Sequence, residues 1–290
     1  MPTTLVVGWV IAGAIFFAVF YSAFVRLVGV WSSEEDYQHG FFVPVFSAFL
    51  LWHRRAMLAD GFDEGGYIWA LPCFAISGLL RGASVWFNVQ VFDEYAIIPA
   101  LAGLAFFMGG WGGIRWAWPA VAFLFFMVPL PHGVSDVLAQ QLRSIAAVLS
   151  TFVIQTLGIP AVRHGNVIHL TQVPLEVEDA CSGLRMLMLF FAICIGGAFV
   201  HRGPLWEKIV LVASAIPIAI IANVVRISVT AIQREYYPNE WLDKVMHDWA
   251  GLAMPLIALG LLWLEYTLLQ RLFPSIPEDR PITFTESARA

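Results

Sequence analysis

Cys181 stands at a chemical boundary, where the acidic stretch Val173–Ala180 gives way to an apolar run, Leu184–Val200, broken only by Arg185. The local order is Glu178-Asp179-Ala180-Cys181-Ser182-Gly183-Leu184-Arg185. A thiol at the start of a helix is an activated nucleophile, because unpaired backbone N–H groups and the helix dipole favour the thiolate. Arg185, four residues on, shares that helix face and adds a positive charge. Glu178 and Asp179 work the other way and raise the thiol pKa, unless they pair with Arg185 or hold a neighbouring base. Ser182-Gly183 leaves the helix start unhindered for an approaching carbonyl. The plain alternative is that cysteine here is only a small, buryable residue.

Two further polar residues sit in awkward apolar settings. Arg226 lies inside Ile221-Ala222-Asn223-Val224-Val225-Arg226-Ile227-Ser228, and an ionisable group within a membrane span is a functional-site hypothesis by default. It is about six residues from the outer end of its span near Ile232, roughly 9 Å deep. Its fork of donors suits an oxyanion or a carboxylate, and Asn223 at i−3 is placed to orient it. His247, in Met246-His247-Asp248-Trp249, opens the last expected span. A helix N-terminus there disfavours imidazolium and leaves a neutral base. Asp248 opposes this effect, although adjacent helical side chains do not face one another. A structural or snorkelling arginine and a tolerated interfacial histidine are the bland readings.

Weaker signals are His39, ahead of the second span, and His164 and His169 in a β-like segment. No i,i+4 histidine pair or C-x-x-C supports a metal site, and no cofactor is expected. Arg81 is another intramembrane cation with no evident partner in the sequence. Cys73 and Cys194 lie inside apolar runs and read as packing residues.

The elements that must position these groups are membrane helices. Of 290 residues, 59 % are hydrophobic and only 13 % charged, whereas a soluble domain carries roughly 25 % charge. Apolar runs near the length of a bilayer crossing recur throughout, so the chain reads as an all-α polytopic membrane protein. Eight spans are expected near Leu5–Leu27, Phe41–His53, Tyr67–Phe87, Tyr95–Gly110, Arg115–Leu130, Gly183–Val200, Leu205–Ile232 and Trp249–Leu272. The first lacks a basic flank and a cleavage site, and reads as a retained span. Val134–Leu157, with Asp136, Gln140, Gln141, Arg143 and Ser144 at helical spacing, reads as an amphipathic helix on the membrane surface. Ala161–Leu170 has β-branched residues around Gly165-Asn166 and reads as a small extracytoplasmic hairpin. Residues 1–272 form one integral membrane unit, and 273–290 a cytoplasmic tail with three prolines. The Lys/Arg bias puts the N-terminus inside and Cys181, the outer end of the seventh span and His247 on one extracytoplasmic face. No basic tract points to nucleic acid.

In order and spacing these motifs resemble the exosortase/archaeosortase family of membrane cysteine transpeptidases. The resemblance runs from Tyr37-Gln38-His39-Gly40-Phe41-Phe42-Val43-Pro44, through Met127-Val128-Pro129-Leu130-Pro131, Gly165-Asn166-Val167-Ile168, Ala180–Arg185 and Asn223–Ile227, to His247-Asp248-Trp249-Ala250-Gly251. Gln38 stands where the family commonly has Ser. The resemblance implies Cys181, Arg226 and His247 as catalytic residues, with His39, Arg185, Asn223, Glu178, Asp179 and Asp248 supporting them. It also implies membrane-anchored protein substrates with C-terminal sorting signals of Pro-Glu-Pro type and transfer to a cell-envelope acceptor. The setting it implies is the bacterial cytoplasmic membrane. The chain ends soon after its last span, where some relatives carry a further domain, so any partner function is expected from a separate protein. A competing reading is a transporter that binds an anionic solute at Arg226; no internal repeat supports it, and Cys181 would have no role there. A catalytically inactive scaffold is the third.

Overall fold

The structure, a computed structural model, describes residues 3–58, 65–171, 174–177, 183–201 and 203–272. Where water is absent every backbone polar group must be satisfied within its own segment, so the apolar runs close into helices. They are α1 (Thr3–Ser33), a 3-10 segment Glu35–Phe41, α2 (Phe42–His53), α3 (Ala70–Phe87), the short α4 (Val91–Tyr95), α5 (Ile97–Phe123) and α6 (His132–Thr156). After a small sheet come α7 (Gly183–Val200), α8 (Leu205–Ala213), α9 (Ala215–Tyr236) and α10 (Glu240–Leu272). The chain is an all-α polytopic membrane protein with one minor sheet. Among the described residues, five stretches are long and apolar enough to cross a bilayer: Val10–Ser33, Tyr67–Phe87, Val91–Met127, Gly133–Thr156 and Leu205–Tyr236. Leu184–Val200 is a shorter apolar helix. Eight separate crossings are not resolved, because α2 is short, and two expected spans fall in the two limbs of α5.

That element is not straight. Gly110 takes φ 56° and ψ −144°, a region open to glycine alone. A Cβ built on Gly113 would lie 2.3 Å from the Ala105 carbonyl oxygen. In an unbroken helix those residues would be about 12 Å apart, so the chain folds back at Gly110. The second limb carries Pro119, which has no N–H to offer the Arg115 carbonyl one turn earlier. Arg54, just past α2, donates through Nη2 to that carbonyl at 2.9 Å and through Nε to Trp116 O at 3.2 Å.

Three apolar clusters hold the bundle. The first joins α1, α2, α4, α5 and the following turn, with α7 adding Ala192 and, at its margin, Ile195, Phe199 and Val200. The second joins α7 to α8, α9 and α10. The third packs α6 and the C-terminal part of α9 against the sheet. Arg81 does have partners. Its Nε is 3.0 Å from Asp93, its Nη1 donates to Val19 O at 2.8 Å, and Arg26 completes the network at 2.5 Å from Asp93 and 3.6 Å from Glu94.

The expected hairpin is present as β1 (Val162–His164) and β2 (Val167–His169), antiparallel, turning through Gly165 at φ 63°. A third strand, β3 (Pro174–Glu176), extends it in the order β1-β2-β3. The sheet lies along α6. Asn166 donates to Gln140 Oε1 at 3.3 Å, and Gln155 donates to Ala161 O at 2.8 Å. By length and composition α6 qualifies as a crossing helix, and it packs on α7 and α9. It is therefore a bundle member as well as the amphipathic helix that its polar spacing suggests.

Candidate functional site

The buried face of α9 runs Ala215, Ile218, Ala219, Ala222, Asn223, Arg226, Ile227 and Ala231, the spacing of one helix stripe. Alanines dominate it, and small residues let neighbouring helices approach closely. Asn223 and Arg226 sit in this stripe with only 3 % and 6 % of their surface exposed. The guanidinium is buried, against the bland reading of a snorkelling arginine, on a helix that packs on α6, α7 and α10. α9 also continues past the expected end at Ile232 to Tyr236, placing Arg226 about 15 Å from the helix terminus.

Arg185, in the first turn of α7, pairs with Glu35 and lies 3.7 Å from Asp36. Among the described residues, two acids that meet it come from the 3-10 segment after α1. This segment also carries His39, buried, whose Nε2–H donates to the Phe126 carbonyl at 3.1 Å. Burial pushes the His39 imidazole pKa below its ordinary value, against the opposing pull of the Phe126 and Asp36 backbone and the Asp36 carboxylate. His39 is a neutral ring at pH 7. Other side chains hold the same stretch of backbone: Trp31 Nε1 donates to Met127 O at 2.8 Å, and Tyr95 Oη to Pro129 O at 3.4 Å. The Tyr37 hydroxyl meets the Leu130 backbone and Ser135, and burial raises its pKa. The Met-Val-Pro-Leu-Pro motif is thus a backbone strap gripped by aromatic and imidazole donors beside the start of α7.

Cys181, Glu178 and Asp179 lie outside the described residues. His247 and Asp248 lie in α10, described there by backbone alone. His247 does not lie at a helix terminus. α10 begins at Glu240, where Asn239 Oδ1 accepts the Trp241 N–H at 2.9 Å in the manner of an N-cap. His247 is seven residues in, about two turns, and the dipole's influence fades within the first turn. The helix terminus therefore gives no bias toward neutral imidazole. At the level of elements, α7, α9 and α10 pack against one another. Arg226 and His247 are carried by two of these helices, and the third begins two residues after Cys181.

A family model described as transmembrane exosortase matches residues 31–264. The chain belongs to the transmembrane exosortase family. The match contains Cys181, Arg226, His247, His39 and Arg185, and membership carries a membrane transpeptidase-type role. No curated protein and no solved structure matched this exosortase-family chain.

Reading the exosortase sequence alone missed Glu35 and Asp36, although an acid run directly before Tyr37-Gln38-His39 was a visible signal. Trp31 and Tyr95 carry no such signal, because an aromatic residue near a membrane interface looks the same in sequence whether it faces lipid or protein. The His164 and His169 rings stand 5.4 Å apart across the hairpin, and no cluster of three metal-ligating side chains occurs among the described residues. A cavity of about 890 Å3 lies toward the other end of α7, lined by Cys194, His201, Glu207 and Tyr266. There His201 meets Glu207 at 2.6 Å. His201 is sixteen residues beyond Arg185, about 24 Å along the helix axis, so this cavity is separate from the candidate site.

Proposed function

We propose that the protein is a membrane-embedded cysteine transpeptidase that cleaves C-terminal sorting signals of exported, membrane-anchored proteins. Cys181 thiolate attacks the scissile amide, and Arg226, oriented by Asn223, stabilises the tetrahedral oxyanion. His247 gives a proton to the leaving amine, which departs as the thioester forms. It then takes a proton from the incoming nucleophile of a cell-envelope acceptor as that nucleophile displaces the cysteine. His39, Arg185, Glu178, Asp179 and Asp248 support these groups. The observation that carries the reading is Arg226, buried on a helix that packs against both the helix that bears His247 and the helix that follows Cys181.

The reading places the site on the extracytoplasmic side of the cytoplasmic membrane. α6 then lies at that surface, because the sheet follows it for fifteen residues, about 22 Å. A sheet edge carrying exposed Arg163 and His164 is not tolerated against lipid. In sealed cells expressing a tagged substrate, a membrane-impermeant maleimide added outside is expected to stop processing. Cys181→Ala is expected to abolish it, and hydroxylamine to trap the acyl group from wild type only. Normal processing by Cys181→Ala would sink the mechanism, and inhibition only after permeabilisation would sink the orientation.

A further inference from the structure

A groove of about 660 Å3 opens between the second limb of α5, α7 and α8, well away from the candidate site. Its walls are apolar and aromatic. Trp118 and Phe199 meet edge to face at 5.2 Å, and Phe191 and Ile209 continue the surface. Trp118 and Ile209 are exposed, as expected of a lipid-facing surface. Two cations, Arg54 and Lys208, join this otherwise greasy lining. Arg54 is anchored by its bonds to the Arg115 and Trp116 carbonyls, which use Nε and Nη2 and leave its charge and Nη1 for another ligand. Lys208 stands in the first turns of α8, on the side where the Lys/Arg bias of the sequence lies.

The geometry points to a binding site for one anionic phospholipid, its acyl chain in the groove and its phosphate between Arg54 and Lys208. Charge complementarity selects this occupant: a zwitterionic lipid would bring its own cation against two fixed cations. A protein helix would have to supply an acid at a matching depth, where a bilayer supplies the phosphate everywhere. The site is independent of the proposed chemistry. Phe199 is fourteen residues beyond Arg185, about 21 Å along α7, so the lipid here is a resident of the fold and not an acceptor.

Purified full-length protein is exposed to mixed micelles of phosphatidylglycerol and phosphatidylcholine in equal parts, and retained lipid is counted by native mass spectrometry. A basic residue near such a headgroup gives about fivefold preference. Wild type is therefore expected to retain phosphatidylglycerol in clear excess. Lys208→Gln lowers the excess about fivefold, while Lys208→Arg preserves it. Arg271→Gln, a cation on the same side but outside the groove, leaves it unchanged. No excess in wild type overturns the proposal, as does an excess that survives Lys208→Gln or falls equally with Arg271→Gln. Displacement of the lipid by excess inorganic phosphate would show a plain anion site, and would overturn it too.

Discussion

A buried guanidinium carries a desolvation cost of roughly several kcal/mol unless its surroundings repay it, and at 6 % exposure Arg226 is such a group. The fork geometry argues that replacement by another cation will not do. Arg226→Lys is expected to fold, by an unchanged melting profile, and to process substrate about a hundredfold more slowly, the effect of losing an oxyanion donor. His39 tests a different property. Its folded pKa lies below the ordinary 6.5, so as pH falls through 6.5 the unfolded state takes up a proton first. Stability is complete above that pH and declines as pH drops toward the folded pKa. His39→Gln should flatten this decline in melting temperature between pH 7 and 5. An unchanged slope would show that another group is responsible. Arg226 was legible because a charge inside an apolar run has few bland explanations. The pairing of Arg185 with Glu35 was not, since the two lie 150 residues apart and no local periodicity links such positions.

Among elements, the bond between Arg54 and the second limb of α5 repairs a defect that the sequence itself creates. Pro119 leaves the Arg115 carbonyl without its in-helix donor, and a donor from α2's end replaces it. Arg54→Gln is expected to cost about 1–3 kcal/mol, the penalty for a polar group left unsatisfied. In a Pro119→Ala background, where the helix regains its own N–H, the cost should shrink. A double-mutant cycle in detergent-solubilised protein measures this, and a coupling of zero would refute the repair. The helices themselves were readable from apolar runs, and so was the hairpin from Gly165-Asn166. Two features stay hidden from hydropathy for one physical reason. α10 starts at the polar cap Asn239, ahead of the apolar onset near Trp249. The polar spacing of α6 does not show that Ala146, Ala147 and Ile154 make a buried seam with the sheet and α9. Hydropathy reports where a helix becomes greasy, and capping and seam residues report where it begins and what it touches.

For the molecule as a whole, family membership and a polytopic helical fold were visible in the order of short motifs along the chain, each weak by itself. The relative placement of the helices was not, because lipid-facing and core-facing residues are equally apolar here: Phe42 is 74 % exposed and Phe190 fully buried. The strap at 126–130 has a consequence for how such a protein is made. Its carbonyls are gripped by Trp31, His39 and Tyr95, and all but one of the buried residues of the first apolar cluster fall within 20–128, with α7 adding Ala192 and a margin of Ile195, Phe199 and Val200. The leading half can therefore close its own outer end while the ribosome is still producing α7 to α10. The trailing half then docks through its own clusters onto a finished wall. Two polypeptides, 1–131 and 132–290, co-expressed from separate reading frames, are expected to assemble and restore processing. Failure of a stably inserted pair to do so would mean that the halves are built together and not in turn.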